Sequence, residues 1–380
     1  MRCSKCILPQ TTPGISFDKE GVCNYCKSYN SRFSNWERVK NQQHNQLMII
    51  LEYAKKLKRP YDCLVPLSGG KDSTYALYLL AEKFNMSCLC ITFDHGFMSD
   101  QAKINIRNAI ERTGSDHVFY SLSQEKTINL FRVFFKKTGD FCAACMRGIN
   151  YAVETAANRY NIPLVIKGSG RRVQYISQIE KGHSNSAMYF KSVMKNEQNF
   201  DQYKHFFSNW KNYELSKLIE LLLNIVKIPP YLMMKYLPYY IGIYDYLYEP
   251  YEKIVRLLEE EMGWSSKDQT IEHLDCLFHD VPSYLRTLRI KGITKDTFYN
   301  SGLIRQGIIT RDDAIRIEER NLQNDELPRA LNSFLQMCNI SYEQLSGILK
   351  DTNPQKYTPL SEKIATDLYS IRVLGDTKKS

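Results

Sequence analysis

Ser68-Gly69-Gly70-Lys71-Asp72-Ser73 stands between a short apolar run, Tyr61 to Leu67, and a stretch, Thr74 to Phe84, whose apolar residues recur at helical spacing. Strand, glycine turn and helix in that order restrict the fold more than anything else in the chain, because the helix must start above the strand's carboxyl end. Glycines there let backbone N–H groups come close to an anion, and the helix end adds partial positive charge. Two serine hydroxyls and the Lys71 ammonium add donors, and Asp72 can hold a magnesium ion. The string is not a Walker A loop, which needs a glycine five residues before Gly70 where this chain has Val65. Nor does it read G-x-G-x-x-G. An ordinary glycine-rich turn is the competing reading, and the six-residue string in this setting weighs against it.

The alternation continues downstream. Ser87 to Phe93 reads as a second strand ending at Asp94-His95-Gly96, and Asp100 to Thr113 as a helix. His117 to Leu122 is a third strand; Ile128 to Lys137 and Arg147 to Tyr160 are helical; Pro163 to Ile166 is a fourth strand closing at Gly168-Ser169-Gly170. This pattern predicts an α/β fold, a doubly wound, Rossmann-like parallel sheet spanning residues 46–190. Residues 1–45 form a cysteine module and linker helix, with Trp36 to Lys58 as the helical pattern. Residues 191–380 are rich in Tyr, Leu and Lys at helical spacing and are expected to be mostly α-helical, a substrate- or partner-binding region.

The eleven cysteines sort by spacing. Cys3-x2-Cys6 and Cys23-x2-Cys26, sixteen residues apart, place two pairs of thiolates on tight turns that can complete a tetrahedral zinc site. So small a unit buries no core of its own, so metal would supply its folding energy. Four thiolates leave no open coordination position, which makes the expected zinc ribbon structural. Cys142-Ala143-Ala144-Cys145 is a second C-x2-C, two ligands short of a closed site. Its partners could be Cys276, His273 or His279, within Glu272-His273-Leu274-Asp275-Cys276-Leu277-Phe278-His279. A second metal site, an iron–sulfur cluster, a redox pair and buried structural cysteines all stay open. Cys63, Cys88, Cys90 and Cys338 read as packing residues.

With 51 basic and 41 acidic side chains among 380 residues, the net charge of +10 fits an anionic-ligand site better than a polyanion-binding surface. At 43% hydrophobic and 24% charged, the composition excludes wholesale disorder. No apolar stretch is long enough to span a bilayer, and Met1-Arg2-Cys3 opens no signal sequence, so a cytoplasmic protein without membrane insertion is expected.

Ser68 to Ser73 resembles the PP-loop of the adenine nucleotide α-hydrolase-like superfamily, ATP pyrophosphatases that cleave between the α and β phosphates and adenylate an acceptor oxygen. The resemblance implies ATP with magnesium as cofactors, phosphates gripped by Ser68, Gly69, Gly70, Asp72 and Ser73, and Lys71 as an extra cation. It makes Asp72 and Ser73 the catalytic pair, and sets Asp94 and Gly168 along the same carboxyl edge. Arg171 and Arg172 would clamp a nucleotide-sugar or AMP phosphate, with solvated surface arginines as the alternative. Finer likeness is to the N-acetyl sugar amidotransferases of surface-polysaccharide biosynthesis. It rests on Cys3-Ser4-Lys5-Cys6-Ile7-Leu8-Pro9, on Pro13-Gly14-Ile15 through Cys26, on Tyr61-Asp62-Cys63, on Gly263-Trp264, and on Gly307-Ile308-Ile309-Thr310-Arg311-Asp312-Asp313-Ala314. That family implies an acetamido-to-acetamidino conversion using ammonia. No cysteine here stands in a nucleophile-elbow setting, so the donor would be a separate glutaminase subunit. The tyrosine-rich stretch Pro230 to Tyr251 reads either as its docking surface or as a helical core.

Cys142-x2-Cys145 and Cys276 depart from the sugar family and are similar to PP-loop sulfur transferases such as tRNA thiolases, some of which hold an iron–sulfur cluster on such a set. Sulfur transfer, with tRNA as the partner, is therefore the alternative, although Gly168-Ser169-Gly170-Arg171-Arg172 lacks the His-Asn-Leu-Asp-Asp-type string of many thiolases. A protein that binds ATP without turning it over is a third class, hard to reconcile with an intact loop.

Overall fold

The computed structural model describes residues 1–170, 172–173, 186–207, 210–266, 275–323 and 327–359. Five strands form one parallel sheet: β1 (Cys63–Pro66), β2 (Cys88–Asp94), β3 (Asp116–Ser121), β4 (Leu164–Lys167) and β5 (Tyr239–Gly242), in the order β3-β2-β1-β4-β5. Register pairs Cys63 with Cys88, Leu64 with Val165, and Val165 with Tyr240. The chain moves outward from β1 to β3, then returns to place β4 on β1's other side. Between β1 and β4 the order reverses, which is where open α/β sheets bind ligands.

Alternation along the strands decides the two layers. Cys63, Val65, Cys90, Leu164, Ile166 and Ile241 face a core with α2 (Trp36–Lys56), α3 (Lys71–Tyr78), α4 (Asp100–Thr113) and α9 (Tyr251–Met262). Leu64, Leu89, Ile91, Val165 and Tyr240 face Ala152, Val153 and Ala156 of α6 (Cys142–Arg159). Both faces are covered, as parallel sheets require.

A second core joins α5 (Gln124–Thr138), α7 (Ala187–Met194), α10 (Asp280–Arg289) and α13 (Arg329–Cys338) around Phe131, Phe134, Phe190 and Phe334. Among the described residues the other α-helices are α1 (Asn24–Phe33), α8 (Trp210–Ile225), α11 (Thr297–Gln306), α12 (Arg311–Gln323) and α14 (Tyr342–Asp351). No described helix is long and apolar enough to cross a membrane.

The region beyond residue 190 is mostly helical, as expected, but the sheet extends into it, because β5 lies at 239–242 and pairs with β4. The Pro230 to Tyr251 stretch is a 3-10 turn (Pro230–Lys235), β5 and a second 3-10 turn (Ile243–Asp245), not a helical core. Tyr239, Tyr240, Tyr244 and Tyr246 are buried there, while Tyr236 is 80% exposed. Four residues of strand between prolines and aromatics carry no helical or alternating signature long enough to read.

Candidate functional site

The glycine turn closes directly over the carboxyl end of β1. Gly69 has φ +79°, and a Cβ there would lie 2.3 Å from the Ala102 carbonyl of α4, so only glycine fits. Gly70 is the N-cap of α3. Ser73 Oγ accepts from the Ser68 amide at 3.2 Å and donates to the Gly70 carbonyl at 3.0 Å, tying the turn's ends together. Ser68 Oγ lies 3.3 Å from Ser73 Oγ.

Three residues from distant parts of the chain brace this turn. The Trp264 indole and Asn105 Nδ2 both donate to the Gly69 carbonyl, at 2.9 and 3.1 Å. Tyr244 donates its hydroxyl to Asp72 Oδ1 at 2.8 Å, and burial pushes the Tyr244 pKa far up, so it stays protonated. The Lys71 ammonium sits 3.0 Å from Asp72 Oδ2 and over the Tyr251 ring at 4.9 Å. Sequence reading missed Tyr244, Asn105 and Tyr251; Trp264 was visible only as half of a two-residue signature.

Gly168, just past β4, meets the turn across the reversal point. A Cβ on it would lie 2.4 Å from the Asp72 carbonyl and 2.6 Å from the Ser73 amide. Asp94, at the end of β2, accepts from the Gly96 amide at 2.8 Å. Next to Gly168, burial lowers the Lys167 ammonium to about 8, and its Nζ stands 3.5 Å from Asn150 Oδ1. The structure thus brings Ser68 to Ser73 and Gly168 into contact, with Asp94 on the same sheet edge. Arg172 is buried nearby; Arg171 lies outside the described residues.

The segment Asp275–Phe278 is pinned to the loop after β2: Met98 and Cys276 form an antiparallel bridge, and the Leu277 amide donates to the Phe97 carbonyl at 3.0 Å. This sets the Asp275 carboxyl beside Ser68, whose hydroxyl donates to it, while burial raises its pKa. Cys145, in the first turn of α6, is close enough to Cys276 and Asp275 that either, when ionised, would raise its pKa further. Burial pushes the Cys145 thiol well up and the Cys276 thiol up to about 12, so both are protonated at neutral pH. Glu272 and His273 lie outside the described residues.

Cys3, Cys6, Cys23 and Cys26 put all four sulfurs within 4.8 Å of one another, fully buried, a set that could hold a metal ion. Among the described residues no other set of three ligand groups is so close, Cys142, Cys145 and Cys276 included. Backbone amides of Cys6 and Cys23 donate to Cys3 Sγ at 3.3 and 3.2 Å, and that of Cys26 to Cys23 Sγ at 3.4 Å, orienting the thiolates inward. Arg311, at the start of α12, donates Nε to the Cys3 and Cys6 carbonyls at 3.3 and 3.2 Å. Ile293 and Phe298 pack beneath the cluster. The late Gly307-to-Ala314 string is therefore the clasp of the N-terminal module: Gly307 ends α11 at φ +74°, Thr310 and Asp313 cap α12, and Arg311 reaches the cysteine turns.

Residues 283–365 match the family described as LPS biosynthesis protein WbpG-like, C-terminal domain. An uncharacterized protein of Methanocaldococcus jannaschii is 30% identical over 169 residues, 44% of this chain and 58% of that protein, so the chain spans little more than half the relative's length. The U34-tRNA thiolase NcsA of Methanococcus maripaludis, solved with its 4Fe-4S cluster, aligns over 93% of this chain and 98% of that one, at 16% identity and a TM-score of 0.35. That score is too low to establish a common fold. The chain thus joins a glycine turn at the reversal point of a parallel sheet to a C-terminal segment that resembles the WbpG-like family.

Proposed function

We propose that this protein is an ATP-dependent amidotransferase that converts the acetamido group of an N-acetyl sugar to an acetamidino group for surface-polysaccharide biosynthesis. One observation carries the reading: a WbpG-like C-terminal segment and an intact PP-loop at the sheet's reversal point share one chain. Ser68, Gly69, Gly70, Lys71 and Ser73 hold the β and γ phosphates through amides, hydroxyls and the ammonium, and Asp72 is the carboxylate that would hold magnesium. Asp94 and Gly168 border the nucleoside and α-phosphate. The acetamido oxygen attacks the α-phosphorus and pyrophosphate leaves. Ammonia then adds to the activated carbon, AMP departs with the former amide oxygen, and the amidinium keeps the ammonia nitrogen. The chain's part is positioning and charge stabilisation. Ammonia comes from a separate glutaminase subunit, and the four-cysteine cluster holds zinc in a structural role.

The test is stoichiometry. With an N-acetyl sugar and ammonium, pyrophosphate, AMP and an acetamidino product identified by mass should appear in equal amounts. Pyrophosphate release that ignores both sugar and ammonium would sink the proposal. A second reading, sulfur transfer, draws on the placement of Cys276 and Cys145 beside the loop through Asp275 and Ser68. Iron and acid-labile sulfide on protein purified without oxygen would favour it; zinc with no iron would favour amidotransfer.

A further inference from the structure

The C-terminal half of α8 is apolar on both sides. Ser216, Ile219 and Leu223, spaced three and four apart, turn toward the core shared with α2 and α3. The opposite side, with the chain that leaves it, exposes Leu218, Leu221, Leu222, Ile225, Val226 and Ile228 at 43–65%. The 3-10 turn Pro230–Lys235 packs back on the helix, and here Leu232 and Tyr236 are exposed as well. The seven aliphatic side chains present on the order of 700 Å², more than the roughly 300–600 Å² of the largest apolar patch on an ordinary monomer. A helix that is apolar all round is one that something else covers.

The charges around the patch say what covers it. Lys227 and Lys235 are the only charged residues from 221 to 236, and both are exposed. Arg59 joins them, donating Nη2 to the Lys235 carbonyl at 3.4 Å. On α8 itself Lys217 pairs with Glu220 at 2.8 Å, so that pair adds no net charge. The surface is thus aliphatic with a basic margin. Two copies meeting through it would set that margin against itself, since an isologous contact pairs a patch with its own copy. Protein partners are held mostly by Trp, Tyr and Arg anchors, with Lys depleted and Leu and Val scarce among the residues that carry the energy. Leucines and isoleucines beside lysines, with one tyrosine at the edge, match instead the boundary between lipid headgroups and acyl chains. The turn lies at the amino-terminal edge of the sheet, since Arg59 precedes β1 and Tyr236 precedes β5. The PP-loop is at the carboxyl edge, so a bilayer against the turn leaves it open.

We propose that the outer side of α8 and the turn Pro230–Lys235 dock this protein peripherally on an anionic lipid bilayer. The leucines and isoleucines enter the headgroup boundary, and Lys227, Lys235 and Arg59 meet the lipid phosphates. This inference does not rest on the amidotransferase reading.

The experiment is co-sedimentation of the full chain with vesicles of phosphatidylcholine alone and of phosphatidylcholine with about one third phosphatidylglycerol. The anionic vesicles should bind at least tenfold tighter than the neutral ones, and less tightly as salt rises. Leu222→Gln combined with Ile225→Gln should weaken binding at least tenfold with the melting temperature held, because both side chains are exposed. Lys227→Gln and Lys235→Gln should each weaken it roughly fivefold, and they keep the test open even if the paired variant fails to fold. Leu322→Gln, which removes a leucine 65% exposed on α12, should bind as the wild type does. Affinity for an ATP analogue should be the same with and without vesicles. No binding of the wild type to the anionic vesicles, or wild-type affinity in the paired variant or in both lysine variants, overturns the proposal. A wild-type dimer that Leu222→Gln with Ile225→Gln turns into a monomer would overturn it too, and would make the patch an interface between copies of the chain.

Discussion

The Trp264 indole N–H donates to the Gly69 carbonyl at 2.9 Å, across 195 residues of sequence. Together with Asn105 it occupies the Gly69 carbonyl, while the neighbouring Gly70 carbonyl takes the Ser73 hydroxyl, so the turn's carbonyls are held by named donors. Gly263, in the left-handed conformation at φ +58°, ends α9 and lets the chain bring Trp264 under the loop. The ring is fully buried in the core beneath β1.

Trp264→Phe should keep most of that burial while removing the donor. Loss of one buried hydrogen bond costs about 1 kcal/mol of stability. Pyrophosphate release should fall by roughly tenfold or more, since the loop's donors lose their fixed aim. Denaturant midpoints beside initial rates would check it. An activity loss no larger than the stability loss implies would show that the bond does not organise the loop.

Gly168→Ala and Gly307→Ala separate crowding from conformational cost. At Gly168 the new methyl would meet the Asp72 carbonyl at 2.4 Å, so either α3 or the end of β4 must shift. Pyrophosphate release should be lost. At Gly307 nothing stands within 4 Å, but φ is +74°, so alanine there should cost about 1 kcal/mol and leave the loop untouched. Comparable activity in the two variants would refute the contact between β4 and the loop as the reason for Gly168.

The sequence showed the loop, four of the strands and the four-cysteine set, because each is a local pattern: glycines at a strand–helix junction, apolar runs, paired C-x2-C. Hidden were the braces. Tyr244, Asn105 and Trp264 act on the loop from 36 to 195 residues away in the chain, and nothing in their own neighbourhoods marks an acceptor. Gly263-Trp264 and the string around Arg311 could be recognised as family signatures, yet their work lay in tertiary contacts. The fifth strand was missed because its four residues sit in an aromatic, proline-bounded stretch whose period is neither 2 nor 3.6.

The four-cysteine cluster lies at the seam between the N-terminal module and residues 291–318, since Arg2 also pairs with Glu318 at 3.2 Å and Thr11 bonds the Lys291 carbonyl at 2.5 Å. Cys23→Ser should lose the metal and lower the melting temperature, because so small a module has little core without it. Arg311→Ala should keep the metal but also melt earlier, its two carbonyl contacts gone. Metal content and calorimetry on both variants decide this. A Cys23→Ser protein that melts with the wild type would mean the module contributes nothing to the fold.

Stability should fall on mild acidification, through His95. Its buried Nδ1 accepts from the Phe97 amide at 3.2 Å, which requires a neutral ring. Burial lowers its pKa from 6.5 to about 4, with Asp94 opposing weakly. Between those values the unfolded chain takes up a proton that the folded chain refuses. The stabilisation is therefore whole above about 6.5 and drains away as pH descends toward 4, worth on the order of 1–3 kcal/mol. His117, lowered by burial to about 4 as well, acts in the same sense. Asp275 and Glu154 act oppositely, their carboxyls raised by burial, so the wild-type profile is a sum. Urea midpoints at pH 7 and pH 5 for wild type and His95→Asn isolate the imidazole, because every other group is common to both. The variant should lose less on acidification, and equal losses would mean that His95 carries the same charge folded and unfolded.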